Sequence, residues 1–489
     1  MKYERRDMVK RASGVLMHIS SLNGNFSIGS FGKEARNFVD FLSSFGFTWW
    51  QVLPFCPVDE CNSPYKSHGA FGGNPYFIDL EKLYQKGLLT EKELASAEQI
   101  ESHSCEFDRL KKERISLLKT SSERVTNRDE IEKFIDDRPY LKQFCEFMAL
   151  KEANEQKSWT EWTQEKVNNG CLFLWKFIQY EFFTQWAELK EYANSKGIKI
   201  MGDVPIYVSH DSADVWANKE LFLLREDGMP SCVAGVPPDY FCEDGQLWGN
   251  PIYNWEKMRD DGFSWWMDRM KHMFSMFDGV RIDHFRGIES YWSIPFGAET
   301  AREGEWKNGP GMDFVEALRT IQGDNIIVAE DLGVITKEVE ELLQKSGFPG
   351  MKVLQFGFSG EQNSPHAPHN YDSNTVAYTG THDNNTLLGY VWELGEHERN
   401  VMLEYCGFYG ENWDNCYDSI FRTVYRSHAG ITIFPIQDLL GYGSDTRMNI
   451  PGKAEKNWSF RVTGEQLEGI DWNKFSRWND LYSRNNISS

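Results

Sequence analysis

Apolar residues along this chain gather in short runs, and each run gives way to a polar or glycine-rich stretch. Residues 14–20 (GVLMHIS) lead into SLNGNFSIGSFG, 49–53 (WWQVL) into PFCPVDECNSPYKS, and 198–202 (IKIMG) into DVPIYVSHDSADVW. Residues 277–282 (FDGVRI) precede DHFRG, 326–329 (IIVA) precede EDLG, and 351–356 (MKVLQF) precede GFSGEQNSPHAPHN. Residues 375–379 (TVAYT) run into GTHDNN, and 431–435 (ITIFP) into IQDLLGYGSDTRMNIPG. Such runs, apolar at successive positions and rich in β-branched residues, are the pattern of strands covered on both faces. Between most of them, apolar positions recur at helical spacing, over 33–45, 173–194, 263–276, 311–321 and 336–345. Strands alternating with helices predict βα units and a parallel sheet, and eight such units predict a (β/α)8 barrel. An open doubly wound sheet competes, but neither GxGxxG nor GxxxxGK[ST] occurs.

Two segments interrupt the alternation. Residues 88–169 contain no glycine and one proline, Pro139, and are rich in Glu, Lys, Leu and Ser. They read as a helical insertion between the second and third strands. Residues 204–261 mix Pro205, Pro230, Pro237, Pro238 and Pro251 with glycines and aromatics, and read as a loop-rich insertion after the third strand. No low-complexity linker separates domains, so the expectation is one catalytic barrel over residues 1–489 carrying two insertions.

Composition narrows the partners. The 489 residues include 52 Lys and Arg against 73 Asp and Glu, a net charge of −21, which disfavours nucleic acid and anionic membranes. Aromatic residues make up 15% of the chain, too many for a disordered protein and enough for both a large core and a surface of flat rings. The nine cysteines form no CxxC pair, so neither a thiol metal site nor a disulfide framework is expected. The two histidines of HAPH (366–369) lack helical pair spacing and a third ligand. No metal or cofactor is therefore expected. The charged start MKYERRDMVKRASG lacks an apolar signal core, and no run of about 18 apolar residues exists. The reading is a cytoplasmic protein.

In a parallel barrel the chemistry sits at the carboxyl ends of the strands. There the sequence places Asp203, Arg281-Ile-Asp283-His284, Glu330-Asp331 and His382-Asp383. Arg281 and Asp283 are two apart on a strand and share a face, so the cation keeps Asp283 ionised. A second carboxyl in a drier setting could hold a proton at neutral pH. A carboxylate and a carboxylic acid facing one pocket are the machinery of glycoside cleavage, and rings can stack on sugar faces beside them.

RIDHFRG, VAEDLG and THDNNT, in that order, resemble the catalytic blocks of the α-amylase clan. Together with SPYKSHGAFGGNPYFIDL, GDVPIYVSHDSADVWAN, AGVPPDYFCEDGQLWGNPIYNW and NIPGKAEKNW, they resemble more closely the amylomaltases, or 4-α-glucanotransferases. The likeness runs from RASGVLMHISSL to NWSFRV. It implies Asp283 as nucleophile, Glu330 as general acid/base and Asp383 as the third carboxylate. It further implies Arg281, His382, Asp203, Tyr65, Trp248, Asn457 and Trp458 as substrate-binding residues. The implied substrates are maltooligosaccharides or other α-1,4-glucans, processed with retention through a covalent glycosyl-aspartate. An α-1,4-glucan hydrolase of the same clan would use the same carboxylates with water as acceptor. An inactive glucan-binding protein would be expected to lack one of the three.

Overall fold

The computed structural model describes residues 9–238, 243–358, 360, 363–410, 416–453 and 456–485. Residues 239–242 and 454–455, inside two of the blocks quoted above, lie outside the described residues.

Eight parallel strands close a barrel: β1 (Ala12–Leu16), β2 (Trp49–Gln51), β3 (Lys199–Val204), β4 (Gly279–Ile282), β5 (Ile326–Ala329), β6 (Gly350–Val353), β7 (Thr375–Tyr378) and β8 (Ile431–Pro435). Each pairs with the strands before and after it in sequence, and β1 closes on β8 with Ala12 opposite Ile431 and Leu16 opposite Pro435. Every residue of β1, β2, β4, β7 and β8 is buried, which is why these runs carry no hydrophobic–polar alternation. Gly14 permits the close β1–β2 approach, since a Cβ there would lie 2.6 Å from that of Trp49.

Helices form the outer layer. Lys33–Ser44 turns Ala35, Phe38, Val39 and Leu42 inward at helical spacing. Ser264–Met276 buries Trp265 and Trp266 in the core, and Asn169–Ser195 precedes β3. Between β2 and β3 the helices Phe107–Glu123, Asp129–Asp136 and Pro139–Ala153 pack on Asn169–Ser195.

Three details differ from the sequence reading. Strand β1 ends at Leu16, not at residue 20, because β2 stops at Gln51 and β8 at Pro435, leaving no ladder for the residues beyond. Strand β6 ends at Val353 and passes into a 3-10 helix, Leu354–Phe358. The 204–261 segment is not wholly irregular: Cys232–Val236 and Gln246–Pro251 join Ser290–Pro295 and Glu305–Asn308 in a four-stranded antiparallel sheet. Short length, Gly235 and a mostly exposed Gln246–Pro251 mask those strands in the sequence.

The barrel is fastened where it closes. The buried Arg484 side chain donates to the carbonyls of Ala12, Tyr425, Ser427, Ala429 and Gly430, joining β1 to the chain that enters β8. Among the described residues no helix is long and apolar enough to cross a membrane.

Candidate active site

A cleft of 660 Å³ opens at the carboxyl ends of the strands. Asp283 and Glu330 stand beside each other in it: they follow Ile282 and Ala329, which are paired across β4 and β5. Arg281, His382, Asp383, Tyr65, Trp248, Asn457 and Trp458 line the same cleft.

Register explains the electrostatics. Arg281 on β4 is opposite Asp203 on β3, and its Nη1 donates to both Asp203 oxygens at 2.9 Å. Its Nη2 reaches Asp283 Oδ1 at 2.8 Å. Burial alone would lower the pKa of this guanidinium, but Asp203 and Asp283 more than offset that and raise it well above the ordinary value. The Asp283 side chain keeps 29% of its surface exposed, whereas that of Asp203 is fully buried. Asp203 therefore does not meet the expectation of a substrate contact. It lies beneath the cleft, locking Arg281 and accepting the Tyr65 hydroxyl at 2.8 Å.

Glu330 is held differently. Its Oε2 accepts the His284 main-chain N–H at 2.6 Å and its Oε1 that of Leu332 at 2.9 Å. His284, the donor of the first of these bonds, adopts a left-handed φ of 49° in the turn that follows β4. Burial, reinforced by the charge of Asp283, pushes the Glu330 carboxyl up to about 7 against the pull of Arg281 and the two amides. The two neighbouring carboxyls thus occupy contrasting settings: one paired with a cation and open to solvent, the other buried and able to keep a proton.

On the far wall, His382 stacks on Tyr65, with ring centroids 5.0 Å apart and planes 16° apart. Its Nε2 lies 3.3 Å from Asp383 Oδ2. Asn449 Nδ2 donates to the other Asp383 oxygen at 2.6 Å. Burial opposes charge on Asp383, but His382, Asn449 and Arg281 overcome it and hold the carboxyl at about 2. Trp458 completes this wall, its ring 5.8 Å from both Tyr65 and His382. Trp248 sits edge-to-face with His284 at 4.9 Å. Asn457 lines the cleft, but its amide accepts from the Ile450 N–H and donates to the Ile450 and Lys453 carbonyls, and so ties these two residues together.

Asn449 and the His284 and Leu332 amides have no signal in the sequence reading. A clue to Asn449 is its place in the NIPG stretch after β8, which meets the segment following β7 at His382 and Asp383. Other titratable groups at strand ends serve the scaffold. Asp331 accepts from the Met351 amide and Lys352, and Asp438 accepts from Thr379 and the Leu387 amide.

Comparison with known proteins identifies the family. The 4-alpha-glucanotransferase family model (Glyco_hydro_77) matches residues 17–467. The chain is 44% identical to the 4-alpha-glucanotransferase of Streptococcus pneumoniae, covering 94% of this chain and 95% of that one. It is 41% identical to that of Clostridium butyricum, covering 96% and 100%. Its fold superposes on the amylomaltase from Streptococcus agalactiae, solved in complex with acarbose, with a TM-score of 0.94, 37% identity and coverage of 98% and 100%. With a closed parallel barrel, a carboxylate-lined cleft and near full-length likeness to these enzymes, the chain belongs to the 4-alpha-glucanotransferase family.

Proposed function

We propose that this 4-alpha-glucanotransferase moves segments of α-1,4-glucans between chains by a retaining double displacement on Asp283. In the first step the ionised Asp283 attacks the anomeric carbon of the bound glucan. The bond to the leaving glycosidic oxygen breaks, and that oxygen takes the proton of Glu330. The reducing-side fragment departs, leaving a glycosyl ester on Asp283. In the second step the ionised Glu330 removes the proton from the 4-hydroxyl of an acceptor glucose or glucan. The new oxygen attacks the same carbon and displaces Asp283, restoring the starting stereochemistry and both protonation states. Asp383 and His382 grip the hydroxyls of the sugar under attack, Arg281 pairs with and orients Asp283, and Tyr65, Trp458 and Trp248 offer ring faces to the chain.

The observation that carries this reading is the placement of Asp283 and Glu330 on adjacent strand ends in opposite electrostatic settings. The residues of 88–169 and 204–261 act as insertions into one catalytic barrel, the second supplying Trp248. Incubation of the pure protein with maltotriose tests the choice of acceptor. Glucose together with a ladder of longer maltooligosaccharides is the expected result. Maltose and glucose without longer products would mean that water is the acceptor and the protein is a hydrolase.

A further inference from the structure

One aromatic surface next to the cleft has no part in the mechanism above. Trp306, on the edge strand Glu305–Asn308, is 40% exposed although it is large and apolar. Among the described residues its strand pairs on one side only, with Ser290–Pro295, where Trp306 stands opposite Trp292 at a ring distance of 5.2 Å. The Arg286 guanidinium lies over the ring at 3.9 Å from its centre. Arg286 is itself buried and donates to the Val334 carbonyl, so the cation is fixed rather than swinging in solvent. The indole is thus backed by one ring and one cation while much of its surface faces water.

Its position is specific. Val334 follows Gly333 and Leu332, which line the cleft immediately after Glu330. Val334 is 60% exposed and its carbonyl accepts from Arg286, so the cation under Trp306 ties that ring to the segment that leaves the cleft after Gly333. The opposite wall, with Tyr65, His382 and Asp383, holds the sugar that is attacked. The wall after the acid/base therefore faces the leaving fragment, and later the acceptor.

We infer that Trp306 is a stacking platform for the outer glucose rings of a long acceptor or leaving glucan, beyond the cleft proper. The apolar C–H face of a glucose would lie on the open indole surface. The unpaired main-chain edge of Glu305–Asn308 would meet its hydroxyls. This rests on Glu330 acting as the acid/base, which fixes which side of the cleft receives the acceptor.

The test compares acceptors of different length. With a fixed donor, KM is measured for glucose and for maltoheptaose as acceptors in the parent and in Trp306→Ala, Trp306→Thr and Trp306→Phe. Threonine suits an edge strand, so a poorly folding alanine variant does not end the experiment. The ratio of the maltoheptaose KM to the glucose KM should rise about fivefold to tenfold in the Ala and Thr variants, the size expected for one lost stacking contact. Phe, which keeps a ring face, should hold the ratio near the parent value. An unchanged ratio in folded Ala or Thr variants would overturn the platform, while transfer to both acceptors would still show the catalytic reading to be sound. A failure of that reading would appear instead as full activity in Glu330→Gln.

Discussion

The main-chain N–H of His284 donates to Glu330 Oε2 at 2.6 Å, so the residue that follows one carboxylate aims the other. The donor is in a left-handed conformation that costs a non-glycine residue about 1 kcal/mol or more. The barrel thereby couples its two reacting groups through backbone rather than through a side chain.

That environment predicts a pH profile. Glu330 must carry a proton to begin the reaction, and burial together with Asp283 raises its pKa to about 7. The rate should thus be greatest on the mildly acidic side of that value, where the nucleophilic carboxylate is still ionised, and fall as pH rises through it, about tenfold per pH unit at higher pH. Glu330→Gln should remove this alkaline limb and cost roughly 100-fold to 10,000-fold in kcat on maltotriose.

Asp283→Asn removes the nucleophile and keeps its shape. Turnover should fall by about four orders of magnitude or more. Binding of maltoheptaose, followed by calorimetry, should persist. Full activity in this variant would contradict the glycosyl-aspartate step.

Asp203 tests the ground beneath the site. It is a fully buried partner of Arg281, and removing it leaves the buried guanidinium with only the partly exposed Asp283 as counter-charge. Asp203→Ala should destabilise the protein by about 3–5 kcal/mol in denaturant unfolding. Activity should fall as well, since both Arg281 and Tyr65 lose their anchor.

Asn449→Ala deprives Asp383 of the hydrogen bond at 2.6 Å. One of the influences holding that carboxyl at about 2 disappears, so its pKa should rise. The kcat on maltotriose should drop about tenfold to a hundredfold, the range for one hydrogen bond to a charged group. Asn449→Asp should be more damaging, because it sets a second negative charge against Asp383.

The barrel was legible because strands buried on both faces leave unbroken apolar runs such as ITIFP at 431–435, and their carboxyl ends announce the residues that meet in the cleft. Asp283, Glu330 and Asp383 could be found this way. The antiparallel sheet could not, since Gly235 and the exposed positions of Gln246–Pro251 give no strand pattern. The part played by Asp203 depends on register: only when β3 lies against β4 does it become the buried partner of Arg281. The His284 amide and Asn449 act through backbone twist and loop contact, which residue type does not encode.

The clasp of Arg484 has a consequence for synthesis. Its side chain holds carbonyls of Ala12 and Gly430, and the first of these lies 472 residues earlier in the chain. A ribosome adding about 5–20 residues per second needs tens of seconds to make the intervening chain before that grip can form. Strand β1 must therefore wait for all 472 of those residues before it meets its final neighbours. Nascent chains stalled before residue 484 should remain sensitive to protease at β1, a vulnerability that chaperones would have to cover until release.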